Sequence, residues 1–347
     1  MTFDPPLPPS LWPLLYRLAG RTDWPPRTVD DARLLIDRAT RDDLLPLLFD
    51  DDAAPDVVRE GLQSMRAVQR IHERRADIMA NALTEVASAL GDQPFAVLKG
   101  AEYAYRLYPR PHHRPFRDID LFVPRSSMAI VAARLLASGF TVADIYGPDA
   151  NVDAHHERSF RRGDVTIDVH HSFIQRARHA IDYDAIWSRC VPARIADINC
   201  LRLGDADAIF YQAFSISVHE LHVPVMRYLD LERMVTMHPQ AFDEAAEHAR
   251  RWRARRAFYA AARQAQRLFP ELQFQLNDLV DRRVGAMIER DVLPDPAEPG
   301  TLAAALPRRT QLRRKLMLID DAYQRMRFGA YYVWAHLAGR MRRIASR

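Results

Sequence analysis

The sequence predicts an α+β fold in which a small mixed sheet lies between an N-terminal helical segment and a C-terminal helical bundle. Apolar residues recur at helical spacing in the first 92 residues and again from Asp205 onward. Between these regions, short apolar runs bounded by turn-forming residues are typical of strands. We therefore place the three parts of the chain at 1–92, 93–203 and 204–347.

The N-terminal part is predicted to be mainly helical. Pro55 begins its longest helical stretch and Gly91 ends it, because proline fits the first turn of a helix and glycine favours termination. The predicted helical stretches are 9–19, 28–40, 41–50 and 55–90.

The central part carries the predicted sheet, with a short helix after the first strand and a longer one over 125–138. The strands are predicted near 95–98, 117–123, 140–146, 157–162 and 164–171. The C-terminal part is predicted to be helical almost throughout, and its best linker candidate is PDPAEPG at 294–300.

Two aspartates stand two residues apart in the second predicted strand. Asp118 and Asp120 therefore point to the same face of the sheet. Adjacent carboxylates repel each other, and a divalent cation such as Mg²⁺ would cancel that repulsion. The alternative is an exposed edge strand with two solvated acids. The apolar residues at 119 and 121–123 favour a buried strand instead.

A third aspartate lies in the later segment DVTIDVHHSF, at 164–173. Alternation along this strand places Asp168 on the same face as Thr166 and His170. Three carboxylates brought together could hold one or two metal ions against a polyphosphate. By itself, Asp168 could also be an ordinary acid at the edge of a strand.

The segment from Val97 to Val123, with its Lys-Gly turn, Tyr108-Pro109, Arg114 and Asp-Ile-Asp strand, resembles nucleotidyltransferases of the polymerase-β-like superfamily. The later Ile-Asp-Val-His strand adds to this likeness, which is strongest to a bacterial branch with an Asp-x-Asp core. The resemblance is close over about 94–175 and looser over 205–235.

The resemblance implies roles for particular residues. Asp118 and Asp120 would hold Mg²⁺ or Mn²⁺ against a nucleoside triphosphate, with two ions expected in all. Asp168 would bind the catalytic ion and help to deprotonate the acceptor hydroxyl. Gly100 would let the backbone approach the phosphates at a helix N-terminus. Arg114 would pair with phosphate or brace the acids.

The Lys-Gly turn departs from the superfamily pattern, which usually has Gly-Ser or Gly-Gly with a serine hydroxyl on the phosphate. Here the residues are Lys99, Gly100 and Ala101. Lys99 could bind phosphate as a point charge. It is one of only two lysines among 49 basic residues, which favours a specific role; the alternative is an ammonium group that extends into solvent.

The function that the resemblance implies is transfer of a nucleoside monophosphate to a hydroxyl or phosphate, with release of pyrophosphate. The acceptor is left open among small molecules, natural-product peptides, proteins and RNA ends. One alternative is a toxin-like nucleotidyltransferase that acts on tRNA. Another is a nucleotide-binding module without turnover, which the missing serine would suit.

Histidines are frequent around this core, at 112, 113, 155, 156, 170 and 171. His170 is predicted to reach the phosphate or the acceptor from the face of Asp168. The spacing of the others does not match a zinc site, and we expect loop or strand-edge positions for them. Asp230 is expected either to face the cleft or to lie on a helix surface.

Composition limits the remaining possibilities. The first residues lack the basic start and apolar core of a secretory signal, so we do not expect one. The sequence also has no apolar run long enough to span a membrane. Two cysteines give no disulfide framework, so we expect a cytoplasmic protein.

The C-terminal residues 308–347 carry 11 Lys/Arg and two acids, and also Phe328, Tyr331, Tyr332 and Trp334. This basic tail could be a helix that packs its aromatics on the body. It could also bind RNA, an acidic peptide or an anionic membrane surface.

Overall fold

The central part of the chain forms a seven-stranded sheet in a computed structural model of the protein. The structure describes residues 11–21, 25–143, 156–174, 179–295 and 307–332. The strands are β1 Ala96–Leu98, β2 Ile119–Phe122, β3 Thr141–Val142, β4 Glu157–Arg162, β5 Val165–His170, β6 Val191–Ile195 and β7 Ile198–Arg202. Their spatial order is β3-β4-β5-β2-β1-β7-β6. The β2–β5 and β1–β7 pairs are parallel and the other four are antiparallel.

The β6–β7 hairpin was not predicted, although it extends the sheet by two strands. Its outer strand contains Pro192 and Arg194 and is largely half-exposed, so it lacks the apolar run of a buried strand. Proline is tolerated there because β6 is an edge strand. The predicted strand at 140–146 is represented by β3, and residues 144–155, with His155, lie outside the described residues.

Helices precede and follow the sheet, as predicted, and the α+β fold is thereby confirmed. The N-terminal helices are α1 Trp12–Leu18, α2 Val29–Arg41, α3 Leu45–Leu48, α4 Asp56–Ser64 and α5 Arg66–Leu90. The central helices are α6 Lys99–Arg106, α7 Met128–Ala137 and α8 Tyr183–Ser188. The C-terminal helices are α9 Asp205–Val218, α10 Val225–Met237, α11 Pro239–Arg251, α12 Arg255–Leu268, α13 Arg282–Asp291 and α14 Arg308–Met317, and residues 322–332 are also helical.

The predicted stretch 55–90 is divided at Met65, whose backbone (φ −103°, ψ 13°) ends α4 before α5 begins. Gly91 ends α5 with a positive φ of 57°, a conformation that glycine adopts without strain.

The two faces of the sheet pack against different sets of helices. Alternate residues of β2 and β5, such as Leu121 and Ile167, lie in a core cluster with residues of α5 and α7. The opposite face, represented by Leu98 and Phe122, shares a second cluster with the N-terminal and C-terminal helices. Asp120 alternates with Leu121 and therefore lies on this second face.

The basic tail is described as far as residue 332, and residues 333–347 lie outside the described part of the chain. Phe328 is buried, whereas Tyr323 is exposed. Asp320 and Asp321 join this region to the body through ion pairs with Arg255 and Arg253. No helix among the described residues is long and apolar enough to cross a membrane.

Candidate active site

Strand register brings two of the three predicted aspartates side by side. In the parallel β2–β5 pair, Asp120 lies opposite Asp168. In the antiparallel β4–β5 pair, Ser159 lies opposite Asp168 and donates a hydrogen bond to its Oδ1 at 2.5 Å. Asp118 immediately precedes β2 and is half-buried. The sheet therefore places Asp120 and Asp168 together on the face that meets the N-terminal and C-terminal helices.

Asp120 is the most buried of the three carboxylates and is already charge-compensated. Lys99 Nζ donates to Asp120 Oδ1 at 2.8 Å, and His170 Nε2 donates to the same oxygen at 2.8 Å. Burial raises the pKa of Asp120, but Lys99 and His170 outweigh it and hold the pKa well below its usual range. Asp120 is therefore ionised at any physiological pH.

Lys99 reaches this position through an unusual backbone conformation. It is the first residue of α6, directly after β1, and has a φ of +39°. A side chain with a Cβ in this region costs on the order of 1–3 kcal/mol, and such strain is concentrated at functional sites. The ammonium also lies 5.7 Å from the ring centroid of Tyr211, on α9.

Within the described part of the chain, neither Asp118 nor Asp168 forms an ion pair like that between Asp120 and Lys99. Burial and the neighbouring Asp120 charge raise the pKa of Asp118. Burial also raises the pKa of Asp168, to about 6, with Asp120 adding to the rise and the Ser159 hydrogen bond opposing it. In the metal-free protein, the carboxyl groups of Asp118 and Asp168 therefore hold their protons more tightly than a solvent-exposed aspartate does.

Known proteins were compared with the chain that carries these candidate site residues. Residues 28–270 match the sequence profile of the family described as "uncharacterised nucleotidyltransferase". The chain belongs to this nucleotidyltransferase family. The matched range includes Lys99, Asp118, Asp120 and Asp168 and ends before the basic tail.

No curated protein matches the chain. Among solved structures, the antibiotic-resistance factor ANT(2'')-Ia is similar, with 15% identity and a TM-score of 0.36. The alignment covers 50% of this nucleotidyltransferase and 93% of that chain.

The donor atoms of this nucleotidyltransferase suit a hard divalent cation. Carboxylate oxygens are the ligands that Mg²⁺ and Mn²⁺ prefer, and a cation would relieve the raised pKa values of Asp118 and Asp168. Asp118, Asp120 and Asp168 fit the ion by chemistry and by charge, although they do not form a closed three-ligand cluster. Among the described residues, only Asp50, His112 and His113 have ligand atoms that all lie within 4.8 Å of one another.

Gly100 is the second residue of α6, and Phe116 and Arg114 pack too closely against it for a larger residue. A Cβ at this residue would lie 2.7 Å from Phe116 Cβ and 3.2 Å from Arg114 Nη1. The absence of a side chain thus lets the first turn of α6 pack against the segment that leads into β2. Gly100 itself is buried, and the Phe116 and Arg114 side chains cover it on this side.

Arg114 forms an ion pair with Asp230, and the sequence did not indicate this pairing. Its Nη2 donates to Asp230 Oδ2 at 2.8 Å, and Tyr108 Oη donates to Asp230 Oδ1 at 2.9 Å. Burial lowers the pKa of Arg114, but Asp230 outweighs it and raises the pKa above its usual range. Asp230 is fully buried, which excludes the alternative of an acid on a helix surface. This pair joins the segment before β2 to α10.

Sequence reasoning missed Glu157, the first residue of β4. Register places it opposite His170, and its Oε2 lies 3.2 Å from His170 Nδ1 and 3.4 Å from His156 Nε2. Burial lowers the pKa of His156 to about 4, so this imidazole is neutral at physiological pH. Alternation along β4 and β5 could have indicated Glu157, had the hairpin register been known.

Proposed function

We propose that the chain transfers a nucleoside monophosphate from a nucleoside triphosphate to a hydroxyl or phosphate oxygen of an acceptor and releases pyrophosphate. The observation that carries this proposal is the pairing of Asp120 with Asp168 in parallel strands, beside Asp118 and the Lys99 turn. Membership of a nucleotidyltransferase family supports it.

In this proposal, the triphosphate lies at the first turn of α6. The backbone amides of a first helical turn and the helix dipole favour anions there. Lys99 supplies a positive charge in the place of the missing serine hydroxyl. His170 orients Asp120 through its Nε2 and stands beside the phosphates. Arg114 acts as a positioning residue through Asp230 rather than by contact with the nucleotide.

A divalent cation held by Asp118, Asp120 and Asp168 would neutralise phosphate charge and make the acceptor oxygen more acidic. The acceptor oxygen attacks the α-phosphorus in line, and the bond from that phosphorus to the pyrophosphate oxygen breaks. Asp168 accepts the proton of the acceptor hydroxyl, since it lies directly opposite Asp120 and, unlike Asp120, is not paired with Lys99. Asp120, held ionised by Lys99, is a poor proton acceptor and keeps its charge throughout.

The direct test is incubation of the purified protein with each α-³²P-labelled NTP and Mg²⁺ or Mn²⁺. A lysate divided into small-molecule, protein and RNA fractions supplies acceptors, and the Asp118→Asn/Asp120→Asn variant is the control. Label that enters one fraction with the native protein, and not with the variant, would support nucleotidyl transfer and identify the acceptor class.

Two results would redirect the proposal. Label confined to the tRNA fraction would point to the toxin-like activity, and binding should then weaken steeply with salt. No transfer from a protein that still binds NTP would contradict turnover and leave a nucleotide-binding module.

A further inference from the structure

A second cluster of potential ligands lies outside the carboxylate site. We propose that Asp50, His112 and His113 bind a first-row transition ion, with Zn²⁺ as the expected occupant. Among the described residues, this is the only group of three or more His, Cys, Asp or Glu residues whose ligand atoms all lie within 4.8 Å of one another. The proposal does not depend on the nucleotidyl-transfer activity.

A tight turn brings the two histidines together. Residues Pro111–His113 form a single 3₁₀ turn, which the His113 amide closes by donating to the Arg110 carbonyl at 3.0 Å. Consecutive side chains of a 3₁₀ helix diverge by about 120° because it has three residues per turn. The two imidazole centroids are nevertheless only 4.8 Å apart, with an interplanar angle of 82°. The rings therefore converge on one region instead of facing opposite ways.

The ring nitrogens are incompletely satisfied. His113 is 2% exposed, and its Nε2 lies 2.9 Å from Asp50 Oδ2. His113 Nδ1 and His112 Nε2 are buried without a hydrogen-bond partner among the described residues. Leaving such a group unpaired costs about 1–3 kcal/mol. A metal ion coordinated by His112 Nε2 would satisfy one of these two nitrogens.

The ligand types select the class of ion. Two imidazoles and one carboxylate suit Zn²⁺, Co²⁺ or Ni²⁺, whereas Mg²⁺ prefers oxygen ligands alone. Gln69 Nε2 lies 3.4 Å from Asp50 Oδ1 and helps to orient the carboxylate. Arg110 Nη1 lies 3.2 Å from Asp50 Oδ2 and is the competing cation. Because the Arg110 side chain is 61% exposed, it can move into solvent when an ion binds.

An ion at this position would connect two parts of the chain. Asp50 follows α3 in the N-terminal segment, and the histidine turn leads directly into Arg114 and then β2. The ion would fasten the N-terminal helices to the segment that carries the aspartates. Its binding should therefore raise the unfolding temperature, because only the folded chain brings these residues together.

The test is a Co²⁺ titration of the full-length protein after treatment with a chelator. Cobalt in a tetrahedral or five-coordinate nitrogen and oxygen site absorbs visible light far more strongly than octahedral aqueous cobalt. We expect the absorption to saturate at one equivalent and to disappear when Zn²⁺ is added. The unfolding temperature should rise with the same stoichiometry.

Variants decide the location of the ion. His112→Gln and Asp50→Asn should each abolish the absorption, with circular dichroism used to verify the fold. Asp118→Asn/Asp168→Asn and His222→Gln should leave it unchanged. Arg110→Gln should tighten Co²⁺ binding several-fold, because it removes the competing cation, and an Asp–His pair with only a structural role would show no such effect.

Three results would overturn the proposal: no saturable absorption, absorption retained in His112→Gln and Asp50→Asn, or absorption lost in the Asp118→Asn/Asp168→Asn variant.

Discussion

Replacing Lys99 by methionine separates its contribution to stability from its contribution to nucleotide binding. The substitution removes the ammonium that lies 2.8 Å from Asp120 Oδ1, where the Asp120 side chain is 4% exposed. Removing one partner of a buried ion pair costs about 3–5 kcal/mol. We expect the lower end of this range, because His170 Nε2 still donates to the same oxygen.

The expected loss is measurable by urea denaturation. With an m-value of about 3 kcal/mol/M, a loss of about 3 kcal/mol lowers the unfolding midpoint by about 1 M urea. The effect on ligand binding should be separate. A lost charged hydrogen bond to phosphate is worth about 2 kcal/mol, so the Kd for a non-hydrolysable NTP should rise roughly 30-fold.

The other lysine of the chain provides a matched control. Lys315 Nζ lies 3.2 Å from Glu220 Oε1, and the two side chains are 23% and 3% exposed. The corresponding exposures of Lys99 and Asp120 are 22% and 4%. Lys315→Met should therefore cost similar stability while leaving the Kd for NTP unchanged within about twofold, which is below 0.5 kcal/mol.

Two results would refute this reasoning. If Lys99→Met binds NTP as tightly as the native protein, the lysine has only a structural role. If Lys315→Met weakens NTP binding to the same extent as Lys99→Met, lost stability explains both variants and no phosphate contact is needed.

Three further predictions concern the same region. Asp168 holds its proton more tightly in the folded state (pKa about 6) than in the unfolded chain, so it destabilises the metal-free protein as pH rises from about 4 through 6. Asp168→Asn should accordingly raise the thermal midpoint at pH 7.5 and not at pH 4, and a lower midpoint at pH 7.5 would contradict the raised pKa. Arg114→Met should lower the free energy of unfolding, measured by urea denaturation, by about 3–5 kcal/mol because it leaves Asp230 buried without its partner. The double variant Arg114→Met/Asp230→Leu should lose less than the sum of the two single variants, and strict additivity would show that the two residues are not coupled. Gly100→Ala should lower the free energy of unfolding by about 1–3 kcal/mol because the new Cβ would overlap Phe116. Gly329→Ala, at an open helical position, should raise it by about 0.5–1 kcal/mol, and an unchanged stability of Gly100→Ala would show that the packing around Phe116 can relax.

Much of the local structure could be predicted from the sequence. Alternation of apolar and polar residues in the central part indicated the strands around Asp118–Asp120 and Asp168–His170, together with the face on which each side chain lies. Helical periodicity, with Pro55 and Gly91 as boundaries, indicated the helices on either side. The β6–β7 hairpin was missed because an edge strand with proline and arginine lacks the periodic signal of a buried strand.

The roles of the charged residues could not be predicted from the sequence in the same way, because their partners lie in distant segments. The resemblance implied that Arg114 pairs with phosphate or braces the acids, and in the structure it pairs with Asp230, 116 positions later in the chain. The histidines at 112 and 113 showed no metal-site spacing, because their third potential ligand, Asp50, lies more than 60 residues earlier. Spacing within one segment cannot indicate a site whose members come from separate helices and turns.

The sequence by itself thus determined the α+β fold class and the shared face of Asp120 and Asp168, since periodicity is a local property of the backbone. Only the tertiary structure decided the parallel register that sets Asp120 against Asp168 and the turn geometry that brings Lys99 to Asp120. Strand register is fixed when distant segments bury their apolar faces against each other. Ion pairs such as Lys99–Asp120 form in the same step, because a charge buried without a partner would strongly destabilise the fold.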